Sequence, residues 1–240
     1  MDISINSHNL KRFLGLVSLS GEHQTKEALF NVKTDSITTL IKSPTNAIGV
    51  CGKLFGKFSD LGELGIDDLA LFMNSVKIIT QDVVKLDVKE NKVILRANKS
   101  KTTLMLRKAD YIKNIVSEPA FKKHSASASE CDGFTIAKEV IPQINQTYGL
   151  IKSPTVIIKG KGKTITFIFE KNENQSEIDI PIVTEVQEFS TKLDAFFISL
   201  LVSIDDNVKL YMKQGVPAIL VDYTNPDMSV QYIVAPMVNK

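Results

Sequence analysis

Four segments of the chain place apolar residues three and four positions apart, the spacing that puts them on one face of an α-helix. The first segment is residues 8–19. Its apolar face consists of Leu10, Phe13, Leu14 and Val17. The other segments are residues 66–79, 135–148 and 192–203. The pattern therefore predicts four amphipathic helices.

Short runs rich in β-branched residues, bounded by turn residues, predict antiparallel strands between these helices. In the first half of the chain they are ALFNVKT, SITTLIK, AIGVCGKLF, VVKLDV, KVILRAN and TTLMLRK. In the second half they are TVIIKG, KTITFIFE, SEIDIPIV, NVKLYMK, PAILVDY and SVQYIVA. We interpret Gly160 and Gly162 as a hairpin turn. A second turn, containing Asn225, Pro226 and Asp227, joins the last two runs.

The order of a helix, strands, a second helix and further strands occurs twice, with an offset of roughly 125 residues, which indicates a duplicated domain rather than a solenoid. The predicted organisation is a first domain at 1–109, a linker at 110–131 and a second domain at 132–240. The second half of the linker is rich in Ser, Ala and Lys, and we expect it to be extended. Two sheet-rich domains with two helices each predict an α+β fold.

The composition is that of an ordinary globular protein, with 43% hydrophobic and 23% charged residues. The sequence has no apolar run of about 18 residues, the length that a membrane span needs. The N-terminal segment lacks the apolar region of a signal peptide. Cys51 and Cys131 are too few for a disulfide framework and suit a reducing compartment. We therefore expect an intracellular protein with no membrane partner.

No pattern in the sequence indicates catalysis, a metal or a cofactor. The histidines have no metal-ligand spacing with one another or with the cysteines. Gly162-Lys163-Thr164 resembles the end of a P-loop, but Ile157 stands where the first glycine of that motif belongs. A Gly-x-Ser-x-Gly motif is also missing. We expect a protein that is not an enzyme, with no catalytic residue, metal site or cofactor.

The last part of the chain carries an ordered series of distinctive residues. The series is Val216-Pro217, Asp222-Tyr223, Asp227-Met228, Tyr232 and Val234-Ala235-Pro236, and upstream of it stand Phe196-Phe197 and Val208-Lys209-Leu210. It resembles DNA sliding clamps of the proliferating-cell-nuclear-antigen type, whose eukaryotic and archaeal members end in Tyr-x-Leu-Ala-Pro. The segment AKEVIPQINQTYGLIKSPTVIIKGKGKTITF is more similar to the T4-type phage clamps. The resemblance covers nearly the whole chain.

The resemblance implies a closed ring of three subunits, each with two similar domains, whose helices line a central hole. It also implies that strands at the two ends of a subunit pair with neighbouring copies, which protects open sheet edges. In this chain these strands would be residues 101–108 and 175–183. The alternative is that lysines and glutamates shield both edges.

In sliding clamps, basic residues on the helices contact the DNA backbone, and such contacts carry no sequence information. The corresponding candidates, each expected on the non-core side of a helix, are Lys11, Arg12, Lys77, Lys138 and Lys192. Ser199 stands where the family often has lysine, and Asp67 and Asp68 reduce the positive charge of the second helix. We expect weak direct affinity for DNA, with retention by encirclement. The alternative for each lysine is an ordinary solvated helix face.

In sliding clamps, the linker and the C-terminal strand also border a hydrophobic front-face pocket that receives a short motif from polymerases and other partners. The corresponding candidates are Ile115, Val116, Pro119, Pro217, Ile233, Ala235 and Pro236. Exposed apolar patches usually mark binding sites. For Ile115 and Val116, the alternative is that they only pin the linker to the sheet.

The function that the resemblance implies is that of a homotrimeric DNA polymerase processivity factor. Its partners would be double-stranded DNA, which it encircles, a DNA polymerase, other replication and repair proteins, and a clamp-loader ATPase that opens the ring. It would act on DNA inside the cell, in the cytoplasm or nucleoid for a phage or prokaryotic protein and in the nucleus for a eukaryotic one. Two alternatives stay open, namely one subunit of a hetero-oligomeric clamp and a monomeric DNA-binding processivity subunit. A β-rich hydrolase is the least favoured alternative.

Overall fold

The structure of the protein, a computed structural model, describes residues 2–97, 100–131, 133–213, 215 and 218–237. The chain divides into two compact units. The first unit comprises Met1–Glu118 and Thr224–Gln231, and the second comprises Pro119–Tyr223 and Tyr232–Lys240. Both units combine helices with antiparallel strands, which confirms the predicted α+β class.

The helices of the first unit are α1, Ser7–Ser18, and α2, Leu69–Lys77. Both begin at a side-chain cap, in which the Oδ1 atom of Asn6 or Asp68 accepts a hydrogen bond from the backbone N–H three residues later. The predicted apolar face of α1 is confirmed, because Leu10, Phe13, Leu14 and Val17 are all buried.

The strands of the first unit form an antiparallel sheet. They are β1 (Asp2–Asn6), β2 (Ala28–Val32), β3 (Ser36–Lys42), β4 (Ile48–Phe55), β5 (Gly62–Ile66), β6 (Val83–Lys89), β7 (Lys92–Ala97) and β8 (Ser100–Arg107). Their order is β1-β6-β7-β8-β5-β2-β3-β4. The six predicted strands are confirmed, whereas β1 and β5 were not predicted. Strand β5 was missed in the sequence because Gly65 interrupts the alternation of apolar and polar residues. A Cβ atom at Gly65 would lie 2.2 Å from the carbonyl oxygen of Arg107 on β8.

The core of the first unit joins both helices to the sheet through aromatic rings. The ring of Phe30 on β2 lies 6.4 Å from that of Phe13 on α1 and 6.3 Å from that of Phe72 on α2. Helix α1 approaches β4 closely at Gly52, where a Cβ atom would lie 2.6 Å from a methyl carbon of Val17. Tight packing of this kind fixes the helix against the sheet.

The second half of the linker is helical rather than extended, so this prediction was wrong. Helix α3 spans Glu118–Ser129 and buries Phe121 and Ala128. Ala, Lys and Glu are good helix formers, and a proline at the second helical position, here Pro119, is tolerated in the first turn. The serines give the segment a composition that is typical of a linker. Its helix propensity is nevertheless sufficient to form a helix once Phe121 is buried.

The helices of the second unit after α3 are α4, Ile141–Ile151, and α5, Phe196–Ile204. Both begin later than predicted. Residues 133–136 form strand β9, Gly133–Ile136, and Lys138–Val140 form a 3₁₀ turn before α4. No helix in the part of the chain that the structure describes is long and apolar enough to cross a membrane.

A long hairpin of β10, Thr155–Lys171, and β11, Asn174–Asp194, forms a two-stranded sheet in the second unit. The predicted hairpin turn at Gly160 and Gly162 was wrong, because both glycines lie within β10 at shifts of the strand register. Glycines in a strand often mark such bulges. A Cβ atom at Gly160 would lie 2.2 Å from the ring of Phe189, and Gly162 has a positive φ of 60°. The actual turn lies between Lys171 and Asn174.

The remaining strands are β12 (Val208–Tyr211), β13 (Ile219–Thr224) and β14 (Met228–Val234). Together with β9 they run in the order β14-β13-β12-β9. The predicted turn between β13 and β14 is confirmed. Its Asn225 Oδ1 atom accepts hydrogen bonds from the backbone N–H groups of Asp227 and Met228.

Candidate nucleic-acid interface and partner surface

The open side of α1 carries His8, Arg12 and Gly15, spaced four and three residues apart and therefore on one face. Arg12 is half-buried. The neighbouring Lys11 is also half-buried, and its Nζ atom donates a hydrogen bond to the carbonyl oxygen of Ile79, two residues beyond α2. The two helices of the first unit are therefore tied together by a positively charged group.

Lys77 lies in the last turn of α2 and is exposed. Within the described residues it has no ion-pair partner. The acidic residues before α2 have partners of their own, since Asp68 caps the helix and Asp67 Oδ2 lies 3.6 Å from Arg107 Nη2. The negative charges of Asp67 and Asp68 therefore lie at the N-terminal end of α2, and Lys77 lies at its C-terminal end.

The structure places the two basic candidates of the second unit outside the helices on which they were expected. Lys138 lies in the 3₁₀ turn before α4, and its Nζ atom is 3.5 Å from Asp205 Oδ1. Lys192 lies in β11 opposite Ile157, is half-buried, and accepts a hydrogen bond from Met237 N–H through its carbonyl oxygen. Both expected positions were wrong because α4 and α5 begin three or more residues after these lysines.

Helices α4 and α5 contain no charged residue, with sequences IPQINQTYGLI and FFISLLVSI. The prediction of basic residues on all four helices was therefore wrong. The exposed residues of the two helices are Pro142, Gln143, Asn145, Gln146, Gly149, Leu150, Ser199, Val202 and Ser203. Among the described residues, basic side chains on α-helices lie on α1, on α2 and on α3, and those of α3 are Lys122, Lys123 and His124.

The first part of the linker docks on β3 of the first unit through an isolated β-bridge. Ile115 bridges to Ile41, the N–H of Lys42 donates to Asn114, and the N–H of Val116 donates to Leu40. Ile115 and Val116 are half-buried, while Ile41, the bridge partner of Ile115, is fully buried. Both linker residues therefore pin the linker and still expose apolar surface. Leu40 and Ile41 were missed in the sequence because their role depends on β2 pairing with β3 only as far as Thr39.

The C-terminal strand β14 alternates between buried and half-buried residues. Ile233 and Pro236 are half-buried and Ala235 is exposed. Met237, which sequence reasoning missed, adds further exposed apolar surface. Pro119 is exposed in the first turn of α3, whereas Pro217 lies outside the described residues.

Two tyrosines that carry the sequence resemblance are core residues. Tyr232 is fully buried, and this burial, followed by the neighbouring Tyr223, raises the pKa of its hydroxyl above the ordinary value. Tyr223 is 1% exposed, and its hydroxyl donates a hydrogen bond to Asp206 Oδ2 at 3.5 Å. Tyr223 and Tyr232 therefore stabilise the fold and are not available to a partner.

The strand predicted at 101–108 has an open edge, as does the strand predicted at 175–183. β8 pairs with β7 along its length, but β5 covers its other edge only at Leu106 and Arg107. Among the described residues, β11 pairs with β10 alone. Each strand also exposes an apolar side chain, with Met105 57% exposed on β8 and Val183 94% exposed on β11.

No protein-family model matches the chain, and none of the curated proteins matches it. Among solved structures, the chain is similar to the A. fulgidus PCNA to which the C-terminal region of FEN-1 is bound. The TM-score is 0.77 at 14% identity, over 100% of this chain and 99% of that chain.

Two further solved PCNA structures give the same result. The Entamoeba histolytica protein has a TM-score of 0.78 at 16% identity, over 99% of this chain and 98% of that chain. The Thermococcus kodakaraensis protein has a TM-score of 0.76 at 17% identity, over 98% and 99%. These matches confirm the predicted fold: along essentially its whole length, the chain has the DNA clamp fold of the proliferating cell nuclear antigens.

Proposed function

We propose that this protein is a sliding clamp, a non-catalytic ring that encircles double-stranded DNA and tethers a DNA polymerase to it. The observation that carries the proposal is the full-length likeness to three PCNA structures, with TM-scores of 0.76 to 0.78. A fold can host several functions. The surfaces of the two units supply the additional support.

The open edges of β8 and β11 support a ring of identical subunits. Open edges are usually covered or paired in native proteins, and a head-to-tail contact that closes on itself makes a ring. The edge region of β8 carries Lys101 and Arg107, whereas the first half of β11 carries Glu177 and Asp179. We propose that β8 of one copy pairs with β11 of the next copy, in a homotrimer.

The basic groups on α1 and α2 support DNA as the encircled ligand. Lysine and arginine side chains bind phosphates without reading sequence, which suits a protein that must slide. The charges are few, so retention depends on closure of the ring. A closed ring has to be opened to reach DNA, so the proposal includes a clamp-loader ATPase as a partner.

The half-exposed apolar residues support docking of polymerases and of other replication and repair proteins. In the first unit these residues are Ile115 and Val116, and in the second unit they are Ile233, Ala235, Pro236 and Met237. Contiguous exposed apolar patches usually mark interaction sites. We propose that the protein tethers these partners to chromosomal or phage DNA, in the compartment that holds that DNA.

Light scattering of the purified chain tests the ring, and the expected mass is about three times the 26.6 kDa of the monomer. Retention on DNA tests encirclement. A ring loaded on nicked circular DNA should stay bound and should slide off after linearisation. A monomeric mass, with equal retention on circular and linear DNA, would favour a monomeric DNA-binding processivity subunit. A trimer that forms only with a second purified clamp chain would favour a hetero-oligomeric clamp.

A further inference from the structure

A buried carboxylate of the first unit contacts the first part of the linker. It belongs to Glu27, which directly precedes β2 and whose side chain is 12% exposed. The Oε1 atom of Glu27 accepts a hydrogen bond of 2.7 Å from the backbone N–H of Lys113 in the linker. The Oε2 atom lies 3.8 Å from Nη1 of Arg107, the last residue of β8. One side chain therefore joins the linker to the end of β8.

The surroundings of Glu27 compensate its buried charge. A buried carboxylate is stable only where opposite charges or hydrogen-bond donors replace the water that it loses. Arg107 supplies the charge, and its Nη2 atom also lies 3.6 Å from Asp67 Oδ2, so that the guanidinium lies between two carboxylates. Lys113 supplies the donor, and a hydrogen bond to a charged acceptor is stronger than one between neutral groups. Moving the linker away would therefore deprive a buried charge of a donor.

The contact with Glu27 is part of a continuous attachment of the linker. Ile112 is buried, and after Lys113 the linker bonds to β3 through the carbonyl oxygen of Asn114 and the N–H of Val116. Those two bonds join backbone groups on both sides, whereas the bond of Lys113 is made to a side chain. Substitution of Glu27 can therefore release the linker at this point without altering the backbone of the linker or of β3.

We propose that Glu27 positions the linker for partner docking, and that Arg107 acts through Glu27. The inference deepens the proposed function and rests on it, because Ile115 and Val116 are docking residues proposed for the first unit. A linker that is already held beside β3 loses less conformational entropy when a partner binds. Because Arg107 ends the strand whose open edge is proposed to pair with another copy, the same contact joins the ring-forming strand to the docking residues.

Amide hydrogen exchange at single-residue resolution tests the position of the linker. The N–H groups of Lys113 and Val116 exchange when the linker leaves its docked position. The test variants are Glu27→Ala and Arg107→Gln, alone and combined. The matched control is Asp87→Ala, because Asp87 is also largely buried and its Oδ2 atom lies 3.5 Å from an arginine Nη2 atom on β7. It lies on β6, which β7 separates from β8.

Glu27→Ala should accelerate exchange at both linker amides about tenfold, because a hydrogen bond to a charged group is lost, while the amides of β6 and β7 keep their rates. Arg107→Gln should give a smaller acceleration and should add nothing to Glu27→Ala, because Arg107 acts only through Glu27. Asp87→Ala should leave the linker amides within about twofold of the unchanged protein. If Glu27→Ala does not fold, Glu27→Gln takes its place, since it keeps a carbonyl acceptor and should still abolish the effect of Arg107→Gln.

Primer extension by the cognate DNA polymerase on circular template supplies the second readout. Glu27→Ala should raise the polymerase concentration needed for half-maximal stimulation about threefold or more, at unchanged solution mass, because the docking residues are no longer held in place. Faster exchange throughout the first unit, additive effects of the two substitutions, or equal effects of Glu27→Ala and Asp87→Ala would overturn the inference. If the unchanged protein stimulates no polymerase, the proposed function itself fails. If it does stimulate, and Glu27→Ala alters neither or only one of the two readouts, this inference alone fails.

Discussion

The Nζ atom of Lys11 on α1 donates a hydrogen bond to the carbonyl oxygen of Ile79, in the chain just beyond α2. The carbonyl groups at a helix C-terminus carry partial negative charge and lack partners within the helix. The ammonium group of Lys11 on α1 therefore supplies a hydrogen-bond donor to a carbonyl group just beyond the C-terminus of α2. This contact makes Lys11 a structural residue of the first unit in addition to a candidate for DNA contact.

Replacing Lys11 by Met should lower the free energy of unfolding by about 1–2 kcal/mol, because the charged donor is lost while the aliphatic stem is kept. Urea unfolding at fixed protein concentration measures the change. The matched control is Lys77→Met, which should stay within about 0.5 kcal/mol because this side chain is exposed and bonds to no described residue. Equal effects of the two substitutions would contradict a structural role for the Lys11 contact.

Gly15→Ala should stabilise the protein by about 0.5–1 kcal/mol, because glycine inside a helix costs conformational entropy. The added methyl group would meet no heavy atom within 4 Å. Gly52→Ala is the contrasting variant, and its Cβ atom would lie 2.6 Å from Val17 and 2.9 Å from Phe13. Overpacking of this kind costs about 1–3 kcal/mol. The melting temperature should therefore rise for Gly15→Ala and fall for Gly52→Ala. Shifts of both melting temperatures in the same direction would contradict the packing described for α1.

Most strands and the position of each main helix could be predicted from apolar periodicity, since burial on one face leaves the same spacing in the sequence and in the structure. The junction between β11 and α5 shows where periodicity fails. Leu193 in β11 and Phe197 in α5 are both buried, and they lie four residues apart in the sequence. The spacing typical of a helix therefore extends backwards into β11. The signal for the true start is Asp194, whose Oδ1 atom accepts a hydrogen bond from the N–H of Phe196.

The expected placement of two candidate DNA-contacting lysines on helices of the second unit was wrong for the same reason. Extending the two helices backwards by several residues moved Lys138 and Lys192 onto helix faces that they do not occupy. The bulges at Gly160 and Gly162 illustrate a second limit, since paired glycines between apolar runs are equally typical of a hairpin turn and of a bulged strand. Only the register of β10 against β11 separates these interpretations.

Introducing a negative charge at either open edge should dissociate the proposed ring into folded subunits. Met105→Asp on β8 and Val183→Asp on β11 alter side chains that are 57% and 94% exposed, so neither change buries a charge in the subunit itself. Burial of either carboxylate between copies would be costly. Light scattering should show a shift towards the monomer for both variants, with an unchanged far-ultraviolet circular dichroism spectrum.

The matched control for this experiment is Tyr111→Asp, which alters another exposed side chain that belongs to neither β8 nor β11. It should keep the mass of the unchanged protein. Dissociation by Tyr111→Asp, or a full-sized assembly with both edge variants, would contradict pairing between β8 and β11 of neighbouring copies.

Ending the chain at Val234 should spare assembly and remove stimulation of the polymerase. The truncation deletes the exposed Ala235 and the half-buried Pro236, and it removes the hydrogen bond from Met237 N–H to the Lys192 carbonyl. The buried residues of β14, up to Val234, remain, so the sheet keeps its core contacts. Primer extension by the cognate DNA polymerase on circular template, with the clamp loaded, measures stimulation, and light scattering measures assembly.

A second variant separates loss of apolar contact from loss of the tail itself. Met237→Ala with Pro236→Ser keeps the chain length and the backbone donor at position 237, and it should also reduce stimulation, because it removes most of the accessible apolar surface that follows β14. If stimulation persists in both variants, the partner surface lies elsewhere, and Ile115 and Val116 on the first unit become the residues to substitute. If the truncated chain no longer assembles, the tail serves the fold, and its apolar character follows from packing rather than from recognition.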